Sequence, residues 1–397
     1  MLALTASLAA APFLIAIYAY AIYPAVLWCA TRMSRPPAPA QFGRPLPSIT
    51  LTVPVYNAGA SIEATLDGII SLDYPRDRLE LLVLSDASTD GTDEIVRRFA
   101  DRGVELLRAP ERKGKTAGEN AAFAVARGDI IVNVDATVVV PPHSLQRLVR
   151  AFDDPSVGVA SGRDISTGLR NIETNGAESG YVGYEMWLRD LETKAGSIVG
   201  ASGCFYGVRR EIHQRPLPRE LSWDFASPLV AKQLGYRSVS VNDAVCIVPR
   251  THHIQSELRR KIRTMARGIR TLFYLRTMMN PFRYGPFALM LLSHKLVRWL
   301  PYLLAPVSFF ALAVLAPQSR IGLALFVLTS TVLATGIAGI CFPRLTRYAA
   351  VRVPAFLVAV TAAGGLAWLD VFRGVRMATW EPTTRPEVSS SPAILPG

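Results

Sequence analysis

The chain has 397 residues, of which 50% are hydrophobic and only 19% charged, with a net charge of +12. That is too apolar for an ordinary soluble domain, and the excess lies at the two ends. The basic balance admits nucleic acid, but the cations gather beside the apolar segments. Anionic lipid headgroups and phosphate-bearing substrates account for that placement, so no nucleic-acid partner is expected.

An uncharged stretch near Leu8–Ala30 is long enough to cross a bilayer. No basic flank precedes it, as a cleavable signal would require; Arg32, Arg35 and Arg44 follow it instead. The positive-inside rule therefore places residues 1–31 as a first span with the middle of the chain in the cytoplasm. Pro36-Pro37-Ala38-Pro39-Ala40 stiffens a linker over residues 32–47. From Ser48 to about residue 250, short β-rich runs alternate with helical patterns, the signature of βαβ units. Strands are expected near 49–55, 79–85, 104–108, 129–135 and 237–248. Helices are expected near 61–71, 91–101, 116–127, 143–152, 176–195 and 224–235.

Residues 251–298 differ in kind. Leu258, Ile262, Met265, Ile269 and Leu272 line one helical face, and Arg259, Arg260, Lys261, Arg263, Arg267 and Arg270 fill the rest. Such a helix either lies in the membrane interface or packs with a solvated basic face. Three further spans are expected within 299–373, near Leu300–Ala316, Ile321–Phe342 and Val353–Val371, before a tail over 374–397. Three C-terminal crossings would put Trp380 outside, whereas Arg373 and Arg376 favour the cytoplasm, so one segment is interfacial or re-entrant. The four cysteines show no zinc or disulfide spacing. His252-His253 are adjacent on an extended chain, point opposite ways, and read as surface or core residues.

Two aspartates carry the chemistry. Asp86 ends the apolar run Leu81-Leu82-Val83-Leu84-Ser85, and Asp135 ends Ile130-Ile131-Val132-Asn133-Val134. Carboxylates at the carboxyl ends of neighbouring strands sit where open α/β sheets bind ligands. The alternative is a pair of turn-forming or helix-capping aspartates. Pro54-Val55-Tyr56-Asn57 turns toward the same edge. Arg112-Lys113-Gly114-Lys115-Thr116 sets cations and a glycine ahead of a helix, as a diphosphate site or a solvated basic loop would.

In order, Val-Pro-Val-Tyr-Asn, Ser-Asp-Ala-Ser-Thr-Asp-Gly-Thr, Lys-Gly-Lys-Thr-Ala-Gly-Glu-Asn and Val-Asp-Ala-Thr resemble the family-2 inverting glycosyltransferases. The likeness continues through Tyr184-Glu185-Met186-Trp187, Gly203 with Arg209-Arg210, Trp223-Asp224-Phe225, Ser293-His294-Lys295 and Trp380-Glu381-Pro382-Thr383. It implies an α/β GT-A domain with a mixed, mostly parallel sheet, flanked by transmembrane helices. It also implies a nucleotide-sugar donor carrying UDP.

On that resemblance Pro54, Tyr56, Asn57, Asp86, Lys113, Lys115 and Asp135 bind the nucleotide sugar, with Asp86 on the base. Asp135 holds Mg²⁺ or Mn²⁺, with Thr137 where a second aspartate is common. Asp224 is the general base, and Trp223 precedes it where an acidic residue usually stands; Trp223 either stacks on an acceptor sugar or packs. Gln255, Arg259, Arg260 and Arg263 lie near the place of the family's Gln-X-X-Arg-Trp motif and are candidates for acceptor or diphosphate contacts. The expected protein is a multi-pass enzyme of a bacterial inner membrane, its catalytic domain cytoplasmic. It transfers sugar to a polysaccharide or lipid-linked acceptor, with export components as possible partners. The rival expectation is a non-catalytic nucleotide-sugar-binding scaffold of an export complex.

Overall fold

The computed structural model describes residues 1–33, 45–167, 176–249, 254–376 and 378–379. The Pro36–Ala40 linker, His252-His253 and the Trp380–Thr383 motif lie outside the described residues. Seven strands form one mixed sheet: β1 Ile49–Val55, β2 Leu79–Ser85, β3 Val104–Arg108, β4 Ile130–Val134, β5 Val157–Thr167, β6 Phe205–Arg209 and β7 Arg237–Pro249. Their order is β3-β2-β1-β4-β6-β5-β7. Every residue of β1 is buried, Thr50 and Thr52 included, as a strand in a covered parallel sheet requires. β1 pairs in parallel with β2 and with β4. β6 runs antiparallel to β4 and to β5.

The covering helices are α3 Ile62–Ile70, α4 Thr92–Arg97, α5 Lys115–Val125, α6 Ser144–Arg150, α7 Gly176–Lys194 and α8 Trp223–Gln233. The first two helices, α1 Leu2–Ile17 and α2 Tyr23–Met33, precede the sheet. β5 and β6 have no counterpart among the expected strands, because glycines and polar residues break their apolar pattern. Close packing demands those glycines: a Cβ on Gly158 would lie 2.6 Å from Tyr236 Cβ, and one on Gly162 2.5 Å from the Phe205 ring.

Past the domain come α9 Ile254–Tyr274, α10 Pro281–Tyr284, α11 Pro286–Leu291, α12 Arg298–Leu315, α13 Arg320–Cys341 and α14 Ala349–Phe372. Among the described residues four helical runs are long and apolar enough to cross a membrane: Leu2–Arg32, Pro286–Leu315, Arg320–Cys341 and Ala349–Phe372. The first joins α1 to α2 through a π-turn at Tyr18–Ile22, and the second joins α11 to α12 through a π-turn at Leu292–Val297. The two π-turns meet, with Tyr18 Oη 2.9 Å from Ser293 Oγ.

α9 buries Ala266, Ile269 and Leu272 on its apolar stripe. It runs beside α14 in the same direction, since Lys261 Nζ lies 5.0 Å over the Phe356 ring and Arg270 Nη2 donates to Asp370 O at 2.9 Å. The end of α14 returns to the start of α12, where Trp368 Nε1 donates to Trp299 O at 3.0 Å. α14 therefore carries the chain back to the domain.

A buried polar cluster fixes the sheet domain to the apolar helices. Glu185 and Glu192, two turns apart on α7, hold the His294 ring between them, with Nδ1 2.6 Å from Glu192 Oε1 and Nε2 3.2 Å from Glu185 Oε2. Tyr23 Oη of α2 donates to Glu192 at 2.7 Å, and Arg298 pairs with Glu185. Buried carboxylates are tolerated only when paired and hydrogen-bonded in this way.

Candidate active site

The carboxyl ends of β1, β2 and β4 open on one edge, and β1 is where the strand order switches direction. Two non-glycine residues there adopt left-handed backbone, Asn57 (φ 48°) after β1 and Ala87 (φ 58°) after β2. Such strain persists only where neighbours hold it. Asn57 Oδ1 accepts from Thr89 N at 2.8 Å, Ala58 N donates to Thr92 Oγ1 at 2.8 Å, and Gly59 N donates to Asp90 Oδ2 at 2.8 Å. The β1 and β2 loops are thereby latched into one wall.

Asp86 is buried behind that wall. Its Oδ1 accepts from Lys113 N at 2.7 Å and Gly114 N at 3.0 Å, and its Oδ2 accepts from Gly114 N at 2.9 Å. The carboxylate thus shapes the Lys113–Lys115 loop. Gly114 has φ 91°, and a Cβ there would collide with the carbonyl of Ala378, so the segment beyond α14 lies over this loop. Pro54 sits in β1 opposite Leu84. Tyr56 lies under the Arg112 guanidinium, 3.7 Å from its ring centroid, and Lys113 Nζ pairs with Glu111 at 2.9 Å.

The next residue, Lys115, joins the two halves of the crevice. Its Nζ donates to Asp135 Oδ1 at 2.6 Å and to Gly203 O at 3.0 Å. Burial works against its charge, but Asp135, Glu119 and Asp224 outweigh burial and hold the ammonium above the ordinary lysine range. β4–β6 pairing brings Gly203 here, with Asp135 N donating to Cys204 O at 3.0 Å. Across the same loop stands Asp224 at the start of α8. A Cβ on Gly203 would lie 2.8 Å from Asp224 Oδ2, so only glycine admits the carboxylate. Asp224 Oδ1 accepts from Phe225 N at 2.9 Å and from Ser222 Oγ. Asp86, Asp135 and Asp224 therefore converge through Lys113–Lys115 and Gly203.

Other expected residues fall elsewhere. Trp223 stands behind the crevice, 2% exposed, packed against His213 and Phe123, with its Nε1 donating to Asn120 Oδ1 at 2.8 Å. A sugar cannot stack on it there, which removes that alternative for Trp223. The Gln255 side chain lies outside the described residues. Arg259 is exposed on α9, with Arg260 and Arg263 half-buried beside it. The α9 cation that enters the site is Arg267, whose Nη2 donates to Thr116 Oγ1 at 2.6 Å and to Leu221 O. Glu119 sits one turn after Lys115 on α5, fully buried. Burial, opposed by Lys115, lifts its carboxyl to about 7. The one-turn spacing of Lys115 and Glu119 was visible in the sequence; the depth of Glu119 was not.

Among the described residues no three His, Cys, Asp or Glu side chains group as a metal cage. Asp135 is a third exposed, and only its Oδ1 is engaged by Lys115. One carboxylate, with Thr137 two residues further along the chain, fits a hard cation that takes its remaining ligands from substrate phosphates and water.

Comparison with known proteins agrees with this architecture. The Glycosyl transferase family 2 profile matches residues 50–215. A probable glycosyltransferase of Bacillus subtilis is 31% identical over 184 residues, 43% of this chain and 42% of that one. A beta-monoglucosyldiacylglycerol synthase of Synechocystis is 29% identical over 185 residues, 45% of this chain and 38% of that one. A mannosyltransferase of Pyrobaculum calidifontis, solved with GDP-Man and Mn²⁺, is 27% identical with a TM-score of 0.70, covering 94% of this chain and 100% of that one. The chain spans 35% to 56% of the length of the first curated relatives it matches. Over residues 50–215 the chain thus resembles the family-2 glycosyltransferases, and its convergent acidic crevice lies in a fold similar to that of the Pyrobaculum enzyme.

Proposed function

We propose that the chain is a membrane-embedded inverting glycosyltransferase that moves a sugar from a nucleoside diphosphate sugar to an acceptor hydroxyl. The observation that carries this is the Lys115 ammonium, which joins the nucleotide edge at Asp135 to the loop holding Asp224. Asp224 takes the acceptor proton as the hydroxyl attacks the anomeric carbon, and one in-line displacement needs only this base. Ser222 and Phe225 N hold its Oδ1 and so orient the carboxylate. Asp86 shapes the nucleotide-binding edge by holding the Lys113–Lys115 loop. Lys115 offsets charge on the departing diphosphate, as fixed cations do where charge develops. Asp135, with Thr137 beside it, would hold Mn²⁺ or Mg²⁺, which supplies Lewis-acid neutralisation of the diphosphate.

The Pyrobaculum enzyme's GDP-Man places guanine beside uracil among the donors to test. The apolar runs support a membrane location, and the direction of α14 bears on topology. With α1–α2, α11–α12 and α13 crossing and α14 lying along α9, Arg344, Arg347, Arg352, Arg373 and Arg376 share the side of the catalytic domain. The positive-inside rule makes that side the cytoplasm of a bacterial inner membrane. A scaffold reading draws on the single carboxylate at the cation position, and it requires nucleotide binding without turnover.

The test is nucleotide release in proteoliposomes across a panel of UDP- and GDP-sugars. Asp224→Asn is expected to lower transfer by about 10²–10⁴-fold, the share of a positioned base. Transfer that survives both Asp224→Asn and Asp135→Asn refutes the proposed mechanism.

A further inference from the structure

Beside the crevice, on the side of the apolar helices, lie two cations that the mechanism does not use. Arg189 of α7 donates one bond, Nη2 to Ala201 O at 3.3 Å. Its Nε and Nη1 are sealed from solvent and meet no hydrogen-bond partner. Lys295 stands within electrostatic reach of Arg189, 5.4 Å over the Phe225 ring. Among the described residues its ammonium makes no hydrogen bond and no ion pair. A Cβ on Gly200 would lie 3.2 Å from Lys295 Nζ, so the bare glycine backbone faces this ammonium.

Charge balance sharpens the point. Around Lys295 lie Glu185, Glu192, Arg298 and Arg189, so that three cations, Lys295 included, share two carboxylates. Buried guanidinium donors left without acceptors are costly, and an anion would satisfy them. The loop Gly200–Gly203 separates these cations from Asp224, and Ala201 N donates to Asp224 O at 2.9 Å. Lys295 also lies in the Pro286–Leu315 run, where the chain leaves the sheet domain for the apolar helices.

We infer that Arg189 and Lys295 form an anion subsite that holds a phosphate group of the acceptor beside the general base. This rests on the glycosyltransferase reading for the word acceptor, but the subsite itself is tested by binding alone. A phosphate here can come from a lipid or from a soluble ester, and the two share the same recognition chemistry.

The experiment measures binding to the full-length protein in detergent by titration calorimetry, with dodecyl phosphate, dodecanol and glycerol 3-phosphate as probes. Dodecyl phosphate is expected to bind at least tenfold tighter than dodecanol. Lys295→Met and Arg189→Met are each expected to erase most of that ratio, and Lys295→Arg to restore it. Glycerol 3-phosphate matching dodecyl phosphate assigns the site to a soluble ester; a much weaker affinity assigns it to a lipid. Equal binding of dodecyl phosphate and dodecanol by the unaltered protein overturns the inference, whether or not the variants fold. Absence of sugar transfer from every donor would sink the enzymatic reading and leave this test standing.

Discussion

Glu119 offers a direct check on the electrostatics of the crevice. Its carboxyl is fully buried at the base of α5, with Tyr206 Oη 3.4 Å away, and burial lifts it from 4.5 to about 7 against the pull of Lys115. The raised value means the folded state keeps a proton that the unfolded chain has released. Stability from this group is therefore full below about pH 4.5 and is lost as pH rises through about 7. Between pH 5 and pH 8 the loss is roughly 2–3 kcal/mol, at about 1.4 kcal/mol for each pH step inside the window. For a domain of this size that is a fall of about 5–10 °C in melting temperature. Glu119→Gln keeps the shape and removes the titration, so its melting profile should be flatter over the same range by that amount. The assay is differential scanning fluorimetry of both proteins in one detergent from pH 5 to pH 8. Parallel pH profiles for the two would refute the argument that this carboxyl stays protonated in the fold.

Two other perturbations probe distinct parts of the structure. Gly114→Ala forces a Cβ into the Ala378 carbonyl at φ 91°, so donor KM should rise about tenfold or more, read in the nucleotide-release assay. Glu192→Gln removes one carboxylate from around His294 and leaves Tyr23 and Val199 N with a poorer acceptor. Weakening the acceptor of a buried hydrogen-bonded cluster of this kind costs about 1–3 kcal/mol, which thermal unfolding in detergent would detect.

Local order was written plainly in the chain. β1, β2 and β4 are mostly apolar runs that end in polar turns, as strands buried along most of their length require, and β3 is a shorter, half-exposed edge. The four apolar helical runs follow from length alone, because a bilayer sets the minimum. Asp86 and Asp135 were legible for the same reason: a carboxylate placed straight after a buried strand stands out. Without the family resemblance, Asp224 has no such local mark, and a helix N-terminus explains it equally well.

What the chain could not disclose was which polar groups meet. β5 and β6 stayed hidden because their glycines serve close approach of Tyr236 and Phe205, residues remote in sequence. The course of α14 along α9 depends on Lys261, Arg270, Phe356 and Asp370 coming together, and hydropathy is blind to such pairings. Arg267 read as a cation on the outer part of its helix until the packing of α9 drew it to Thr116, and nothing along the chain marks the depth of Glu119. Sequence thus determined the strands, the apolar helices and the two strand-end aspartates, because each depends on neighbours along the chain. Tertiary structure alone decided that Lys115 links Asp135 to the Asp224 loop, and that Arg189 and Lys295 keep donors unmatched. Those facts rest on the three-dimensional balance of charge and desolvation, which no linear pattern encodes.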